Sequence, residues 1–318
     1  MKIGSNPGLN QRSDLRTDDD WHEEQSLLGS TRFLILVDLK PVVRSNEPRT
    51  QTAIRWFSGE EIASLGLGFD EFMFLGLNND ENGHGDGHGH GHGHYFAALL
   101  EERALALNDA DRLLMPHVDL RSLADQGVMS AADLSLIGTA RSLASWHGSH
   151  RFCGHCGSGT DILDRGWRRQ CASCGTEQYP RMDPVVIMLV TYGDRCLLAR
   201  DVRFPETLYS TLAGYLEPGE DVEAAVKREV FEEVGLEVTS VDYKFSQPWP
   251  FPHSLMIGCR AVAKGSELKL DGDEIADAFW VDKPELTRLL DGGEAGKIDL
   301  PKDFAIANKL MQDFIAEG

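Results

Sequence analysis

No part of the 318-residue chain is apolar for long. The longest clean run, Val185 to Val190, falls well short of the about 20 residues that span a bilayer. The opening stretch, MKIGSNPGLNQRSDLRTDDD, has no apolar segment of the kind a secretory signal needs, so a cytoplasmic protein with no membrane partner is expected. Positive charge is scarce as well. Lys and Arg number 31 against 51 Asp and Glu, for a formal net charge of -20. Such a surface repels nucleic-acid backbones and anionic membranes. That argues against broad, unspecific nucleic-acid binding and leaves any anionic substrate dependent on local cations or metal. Cysteine is sparse too, at six residues. Cys196 and Cys259 stand alone in apolar stretches and read as inert core residues. The other four form two tight pairs, Cys153/Cys156 and Cys171/Cys174.

What is present is a globular composition, 42% hydrophobic and 26% charged, with length for two domains and a small module. Residues 1–30 are polar and expected to be flexible. Residues 31–150 read as a β-rich domain: RFLILVDLKPVV, TAIRWF, EFMFLGL and HYFAALL are short apolar runs bounded by turn residues. Residues 121–150 carry Leu123, Val128, Leu134, Ile137, Ala140, Leu143 and Trp146 at helical spacing. Between two of the strand-like runs lies GHGDGHGHGHGH, Gly83 to His94, with five of the eleven histidines. It reads as a long glycine loop, since so many glycines leave no fixed ligand geometry, or as a metal-scavenging segment. Residues 181–318 alternate strands with a strong helix and a final helix near residues 305–315. That is an α/β pattern of helices on a mixed sheet.

Residues 151–180 hold the cysteine pairs at the spacing C-x2-C-x14-C-x2-C. Without a secretory context, Cys153, Cys156, Cys171 and Cys174 read as ligands of one structural Zn²⁺ per chain. A closed four-thiolate site replaces the core that so short a segment cannot build. A redox dithiol pair is the alternative. Arg165, Arg168 and Arg169 beside Trp167 read as a solvated basic turn, or as phosphate contacts.

The densest chemistry lies in GYLEPGEDVEAAVKREVFEEVGLEV, Gly214 to Val238. A helix is expected from about Asp221 to Val234, with Gly235 as its C-cap. At about 100° per residue, Glu229, Glu232 and Glu233 share an arc with Val222 and Val226, while Lys227 and Arg228 point elsewhere. An acidic face is ordinarily a solvated one. Here the acids share their side with apolar residues, so they should face the protein, and buried carboxylates need a cation. Oxygen ligands select hard ions such as Mg²⁺ or Mn²⁺, and clustered carboxylates around such ions suit phosphoryl chemistry.

The stretch resembles the Nudix box, G-x5-E-x7-R-E-U-x-E-E-x-G-U with U a bulky aliphatic residue. Gly214, Glu220, Arg228, Glu229, Val230, Glu232, Glu233, Gly235 and Leu236 fill every fixed position. Further on, SQPWPFPHS (Ser246 to Ser254) alternates three prolines with Trp249 and Phe251. These are two aromatic plates that could stack a base, or ordinary packing residues in a rigid turn. With the four-cysteine module and Tyr179-Pro180-Arg181, the segment resembles the NADH pyrophosphatase subfamily, also described as NAD-capped RNA hydrolases. The resemblance is specific over residues 150–282 and loose over the first half.

The resemblance implies a Nudix α/β/α sandwich with a mixed sheet, preceded by a zinc ribbon and an N-terminal β-rich domain. It implies a homodimer that hydrolyses NAD(H) to nicotinamide mononucleotide and AMP, and removal of NAD caps from RNA. It also implies Mg²⁺ or Mn²⁺ held by the carbonyl of Ala213 and by Glu229, Glu233 and Glu274. Gln247, Pro248, Trp249, Pro250, Phe251, Pro252, His253 and Ser254 would line the substrate pocket. Tyr179 and Tyr215 would stack the nicotinamide, and Ala307 would touch substrate. Glu232, Glu233 and Glu274 are candidates for the general base, and Arg228 is expected to orient the glutamates by ion pairing. Two departures stand out. Gly166 occupies a position where some members carry a substrate-contacting glutamate, and the histidine-rich insert has no counterpart. The rival readings are a Nudix hydrolase of another nucleoside diphosphate derivative such as ADP-ribose, and a non-catalytic nucleotide or RNA sensor.

Overall fold

Apolar runs bounded by turn residues become strands throughout the chain, because a sheet lets a short segment bury both faces with its backbone groups paired. The computed structural model describes residues 9–26, 28–45, 51–67, 72–78, 93–100, 116–292 and 297–317. The chain divides into two units, one of Ile3–Arg181 with Pro250–His253 and one of Met182–Trp249 with Ser254–Gly318. Among the described residues no helix is long and apolar enough to cross a membrane.

In the first unit the strands are β1 (Leu9–Asn10), β2 (Arg32–Val37), β3 (Lys40–Pro41), β4 (Val43–Ser45), β5 (Thr52–Ile54), β6 (Trp56–Phe57), β7 (Phe72–Asn78) and β8 (Gly93–Leu100). The larger sheet runs β1-β7-β8-β2-β3 with β6 beside β2, and β4 pairs with β5 separately. Phe33, Ile35, Phe74 and Phe96 anchor its core. Of the glycine- and histidine-rich segment, only Gly93 and His94 fall among the described residues, at the start of β8; both readings of the rest lie outside them. Residues 121–150 form two helices, Leu120–Gln126 and Ala131–Ser149. The break has a local cause: Gly127 caps the first helix in the left-handed region (φ 64), and the Ser130 side chain accepts the Asp133 N–H to start the second. The cysteine module follows as a three-stranded sheet ordered β11-β10-β9, built from β9 (Thr160–Leu163), β10 (Arg168–Cys171) and β11 (Glu177–Gln178).

The second unit holds β12 (Asp183–Tyr192), β13 (Arg195–Asp201), β14 (Leu212–Tyr215), β15 (Val238–Trp249), β16 (Ser254–Ala263) and β17 (Ile275–Asp282). Its mixed sheet runs β15-β16-β12-β13-β17 with β14 beside β12; β12 and β16 are parallel. Strand β12 is apolar without alternation because both its faces are buried. Val186, Met188 and Val190 meet the helix Val222–Val234 through Val226, Val230 and Val234. Ile187 and Leu189 face the opposite cluster, with Leu286, Leu310 and Phe314. Helices thus cover both faces, the expected sandwich. The helix Lys283–Leu290 escaped the sequence reading, as did Asp19–Ser26, within the stretch expected to be flexible, and Gly59–Ser64 in the first unit. The signal for Lys283–Leu290 was there, an Asp282 N-cap followed by Pro284 in the first turn.

Candidate active site

The helix Val222–Val234 begins where the Asp221 carboxylate accepts the Ala224 N–H at 2.8 Å and ends at left-handed Gly235 (φ 71). Its buried side consists of Ala225, Val226, Glu229, Val230, Glu233 and Val234. The valines dock on the sheet, and that docking carries Glu229 and Glu233 inward to 8% and 5% exposure. Glu232 does not share their burial. It stands at the edge of the arc with its side chain 56% exposed, a correction to the expected grouping.

The expectation that Arg228 points elsewhere also needs correcting. Its Cα lies off the acidic arc, but the long side chain folds back over it. Nε and Nη2 hold the two oxygens of Glu220 at 2.6 and 2.9 Å. Nη1 reaches Glu229 at 2.9 Å and Glu232 at 3.0 Å, and Nη2 also donates to the Tyr215 carbonyl at 2.9 Å. All five N–H donors of the guanidinium are spent on these partners. Arg228 is therefore an organiser of carboxylates with no donor left for a phosphate.

The electrostatics separate the acids. Hydrogen bonds from Arg228 hold Glu220 down to a pKa of about 2. Burial raises Glu229, against the pull of Arg228. Among the described residues no cation pairs with Glu233. Burial, then the charges of Glu229, Glu274, Asp271 and Asp201, push it up to about 8. Among the described residues its Oε2 is buried and accepts no hydrogen bond. A buried carboxylate facing other carboxylates, with an oxygen lacking a donor, fits a hard divalent cation. Glu274 is exposed in the loop before β17 and lies close enough to act on both Glu229 and Glu233. Ala213 sits in β14 opposite Ile187 of β12.

The four cysteines make a tighter set. Cys153 and Cys174 sulfurs are 3.7 Å apart, Cys156 and Cys171 sulfurs 3.5 Å apart. Ligands at about 2.3 Å from a tetrahedral Zn²⁺ sit about 3.8 Å from one another, so the set fits zinc. Among the described residues this is the one group of three or more such side chains with all ligand atoms within 4.8 Å; the glutamates are more widely spaced. The two pairs form matching turns. Gly157 donates to the Cys153 carbonyl at 2.8 Å and Gly175 to the Cys171 carbonyl at 3.0 Å. The remaining Cys196 and Cys259 are buried, and burial pushes their thiols up to about 12 and 11. They are core residues, as the sequence suggested.

The neighbouring arginines are not a solvated basic turn. Arg168 is paired with Asp164 at 2.8 Å and with Glu177. Arg169 is buried; it donates to the Thr160 hydroxyl and carbonyl at 2.7 and 2.8 Å and to His147 Nδ1 at 3.0 Å. Burial and Arg169 push His147 down to about 4, so the ring is neutral and its Nε2–H donates to the Gly166 carbonyl at 2.9 Å.

The SQPWPFPHS segment has internal partners. In the second unit Gln247 is buried and donates to the Phe304 carbonyl at 2.8 Å, Pro248 is exposed, and Ser254 is buried at the head of β16. The Trp249 ring stacks on Phe304, 5° from parallel. In the first unit the tip is held by the helix Ala131–Ser149. Arg141 donates to the Pro250 carbonyl and lies 5.4 Å from the Phe251 ring, and Ser142 donates to the Pro252 carbonyl at 3.1 Å. His253 is half-buried. Both aromatic plates have neighbours, which favours the packing alternative. Tyr179 and Tyr215 are 61% and 59% exposed. Ala307 is different. Its methyl group lies in the core beneath the helix Ile306–Ala316, and its main-chain N–H lies in the first turn of that helix.

Comparison with known proteins supplies the family. Residues 181–304 match the NUDIX domain, residues 149–179 the NADH pyrophosphatase zinc ribbon domain, and residues 30–146 the NADH pyrophosphatase-like rudimentary NUDIX domain. The chain is 34% identical to the NAD-capped RNA hydrolase NUDT12 of Macaca fascicularis over 96% of this chain and 72% of that protein. This chain belongs to the NADH pyrophosphatase branch of the Nudix family. It is also 50% identical to the NAD-capped RNA hydrolase NudC of Stutzerimonas stutzeri over 46% of this chain and 52% of that one. Identity to the human NUDT12 is 42% over 58% of this chain and 42% of that protein. The chain thus spans about half the length of these last two relatives or less.

Within the Nudix box, Gly214 has a physical duty. A Cβ there would lie 1.9 Å from the Glu229 carboxyl carbon, so only glycine lets this glutamate lie across β14. The departure at Gly166 is equally constrained. Its φ is +89 and a Cβ would meet Met73 Cγ at 2.7 Å, which leaves no room for a glutamate in this conformation. Sequence reading gave Glu220 no role beyond filling the box and overlooked Arg141 and Ser142. The partners of all three are set by folding, and Arg141 lies 109 residues from Pro250.

Proposed function

We propose that this protein hydrolyses the pyrophosphate bond of NADH or NAD⁺, giving nicotinamide mononucleotide and AMP, and that it also accepts NAD-capped RNA. The observation that carries the reading is the buried, donor-poor Glu233 beside Glu229 and Glu274, in a chain whose relatives are named for NAD-capped RNA hydrolysis. The proposed ligands of the catalytic ions are Glu229, Glu233, Glu274 and the Ala213 carbonyl, with Mg²⁺ or Mn²⁺ as the ion and one Zn²⁺ per chain in the ribbon. Divalent metal supplies neutralisation of the pyrophosphate oxygens and acidification of water. Arg228 keeps Glu220, Glu229 and Glu232 in register. A carboxylate of Glu232, Glu233 or Glu274 takes the proton of the water that attacks phosphorus in line. By motif position, Tyr179 and Tyr215 would stack the nicotinamide and residues of Gln247 to Ser254 would contact substrate, and a homodimer would let rings from both copies serve one site. A thiolate zinc ribbon suits a reducing compartment, and we place the enzyme in the cytoplasm.

Incubation with NADH, NAD⁺ and ADP-ribose, each with Mg²⁺ or Mn²⁺, followed by chromatography, tests this. AMP and the reduced mononucleotide are expected from NADH. No AMP with either metal would refute the assignment, and faster cleavage of ADP-ribose would favour the rival Nudix reading. Gly214→Ala tests the geometry. The clash is with the far end of one side chain, so the melting temperature should barely move. Displacing Glu229 by about an ångström should still cost about a hundredfold in turnover. Normal turnover in this variant would show that Glu229 is not needed where the structure places it.

A further inference from the structure

We infer that Asp271 is a positioning residue for the active site: it sets Glu274 against the C-terminal end of the carboxylate helix. This rests on the reading of Glu274 as a ligand of the catalytic ions. Glu274 has no secondary structure to hold it, since it precedes β17 in the turn Asp271-Gly272-Asp273-Glu274. Its main chain is nevertheless clamped at both ends. The Asp271 carboxylate accepts the Glu274 N–H at 3.1 Å through one oxygen and the Ile275 N–H at 3.0 Å through the other. The Glu274 carbonyl accepts the Val202 N–H at 2.9 Å.

Asp271 is in turn tied to the carboxylate helix. Its own N–H donates to the Glu233 carbonyl at 3.3 Å, and two residues earlier Lys269 donates to the Val234 carbonyl at 2.9 Å. One residue therefore spans the two acids: its main chain is bonded to Glu233 and its side chain to the main chain of Glu274. The sheet adds a second fixture. The register between β13 and β17 shifts at Arg200/Asp201, with Asp201 opposite Ile275. An irregularity of that kind beside a site re-aims the side chains next to it. Asp271 suits the task because a short carboxylate can accept two successive N–H groups of its own turn. It pays no heavy desolvation cost there, being exposed.

Groups that orient metal ligands typically contribute about ten- to a hundredfold in metal affinity. The test uses Asp271→Ala, Asp271→Asn, Glu274→Gln and the double variant Asp271→Ala/Glu274→Gln in the full chain. Mn²⁺ binding is read by paramagnetic resonance of the free ion without substrate, alongside kcat and KM for NADH and the melting temperature. Asp271→Ala should weaken Mn²⁺ binding and lower kcat about tenfold or more, with KM changed far less. Asp271→Asn should lose less, because its side-chain oxygen still accepts one N–H. The double variant should be no worse than Glu274→Gln. Wild-type Mn²⁺ affinity and kcat in both Asp271 variants, or losses that multiply in the double variant, would overturn the inference. If Glu274→Gln alone binds Mn²⁺ and turns over NADH normally, the assignment of Glu274 fails, and the positioning role fails with it.

Discussion

Glu233→Gln should turn over NADH about a hundred- to a thousandfold more slowly while folding at least as well as the wild type. The substitution keeps the shape and removes one charge from a site already crowded with carboxylates. The second half of the expectation follows from linkage. Burial and neighbouring acids raise Glu233 from 4.5 to about 8 in the folded protein. A group whose folded pKa is raised contributes stability that is whole below the unfolded value and is lost as pH rises through the folded one. Zinc-loaded wild-type protein without added Mg²⁺ or Mn²⁺ should therefore lose stability between about pH 4.5 and 8. Glu233→Gln cannot ionise and should not. Its melting temperature should pull ahead of the wild type as pH rises, and added Mn²⁺ should narrow the gap by stabilising only the wild type. Melts from pH 5 to 9 and NADH turnover decide this. If Glu233→Gln remains folded and turns over normally, the carboxylate helix is not the catalytic metal site.

Cys174→Ser should behave in the opposite way, losing zinc and melting at least about 10 °C earlier, with activity declining as a consequence. The reason is the poverty of the ribbon's interior. Between residues 151 and 180 the buried residues are Cys153, Thr160, Gly166, Arg169 and Cys171. No large apolar side chain is among them, so a metal held by four thiolates has to supply the folding energy of the segment. Elemental analysis of the wild type should give about one Zn²⁺ per chain. The histidine-rich segment could inflate that count, so a variant lacking residues 84–92 should be measured beside it, leaving Gly93 and His94 in their strand. Active wild-type protein without zinc, or Cys174→Ser melting like the wild type, would show that the ribbon stands without metal.

The helical wheel located the buried arc of Val222–Val234 through its apolar residues, yet misjudged Glu232 and Arg228, because it places Cα positions and not the ends of long side chains. Arg169 looked like a surface charge because its partners, His147 and Thr160, lie 22 and 9 residues away.

Local and contiguous information was sufficient for much of this protein. The two cysteine pairs, the filled Nudix box, the Gly235 cap and the apolar run of β12 are each written within about 25 residues, where spacing and hydrophobic period are themselves the signal. Tertiary structure alone decided what joins distant segments: Arg141 to Pro250, Asp271 to Glu233, and Asp201 and Glu274 into the field of Glu233. It also decided which acid is charged. Glu220 at about 2 and Glu233 at about 8 are the same residue type on one motif. The difference comes from burial and from the single arginine that reaches one of them and not the other, and neither is a property of a residue's place in the chain.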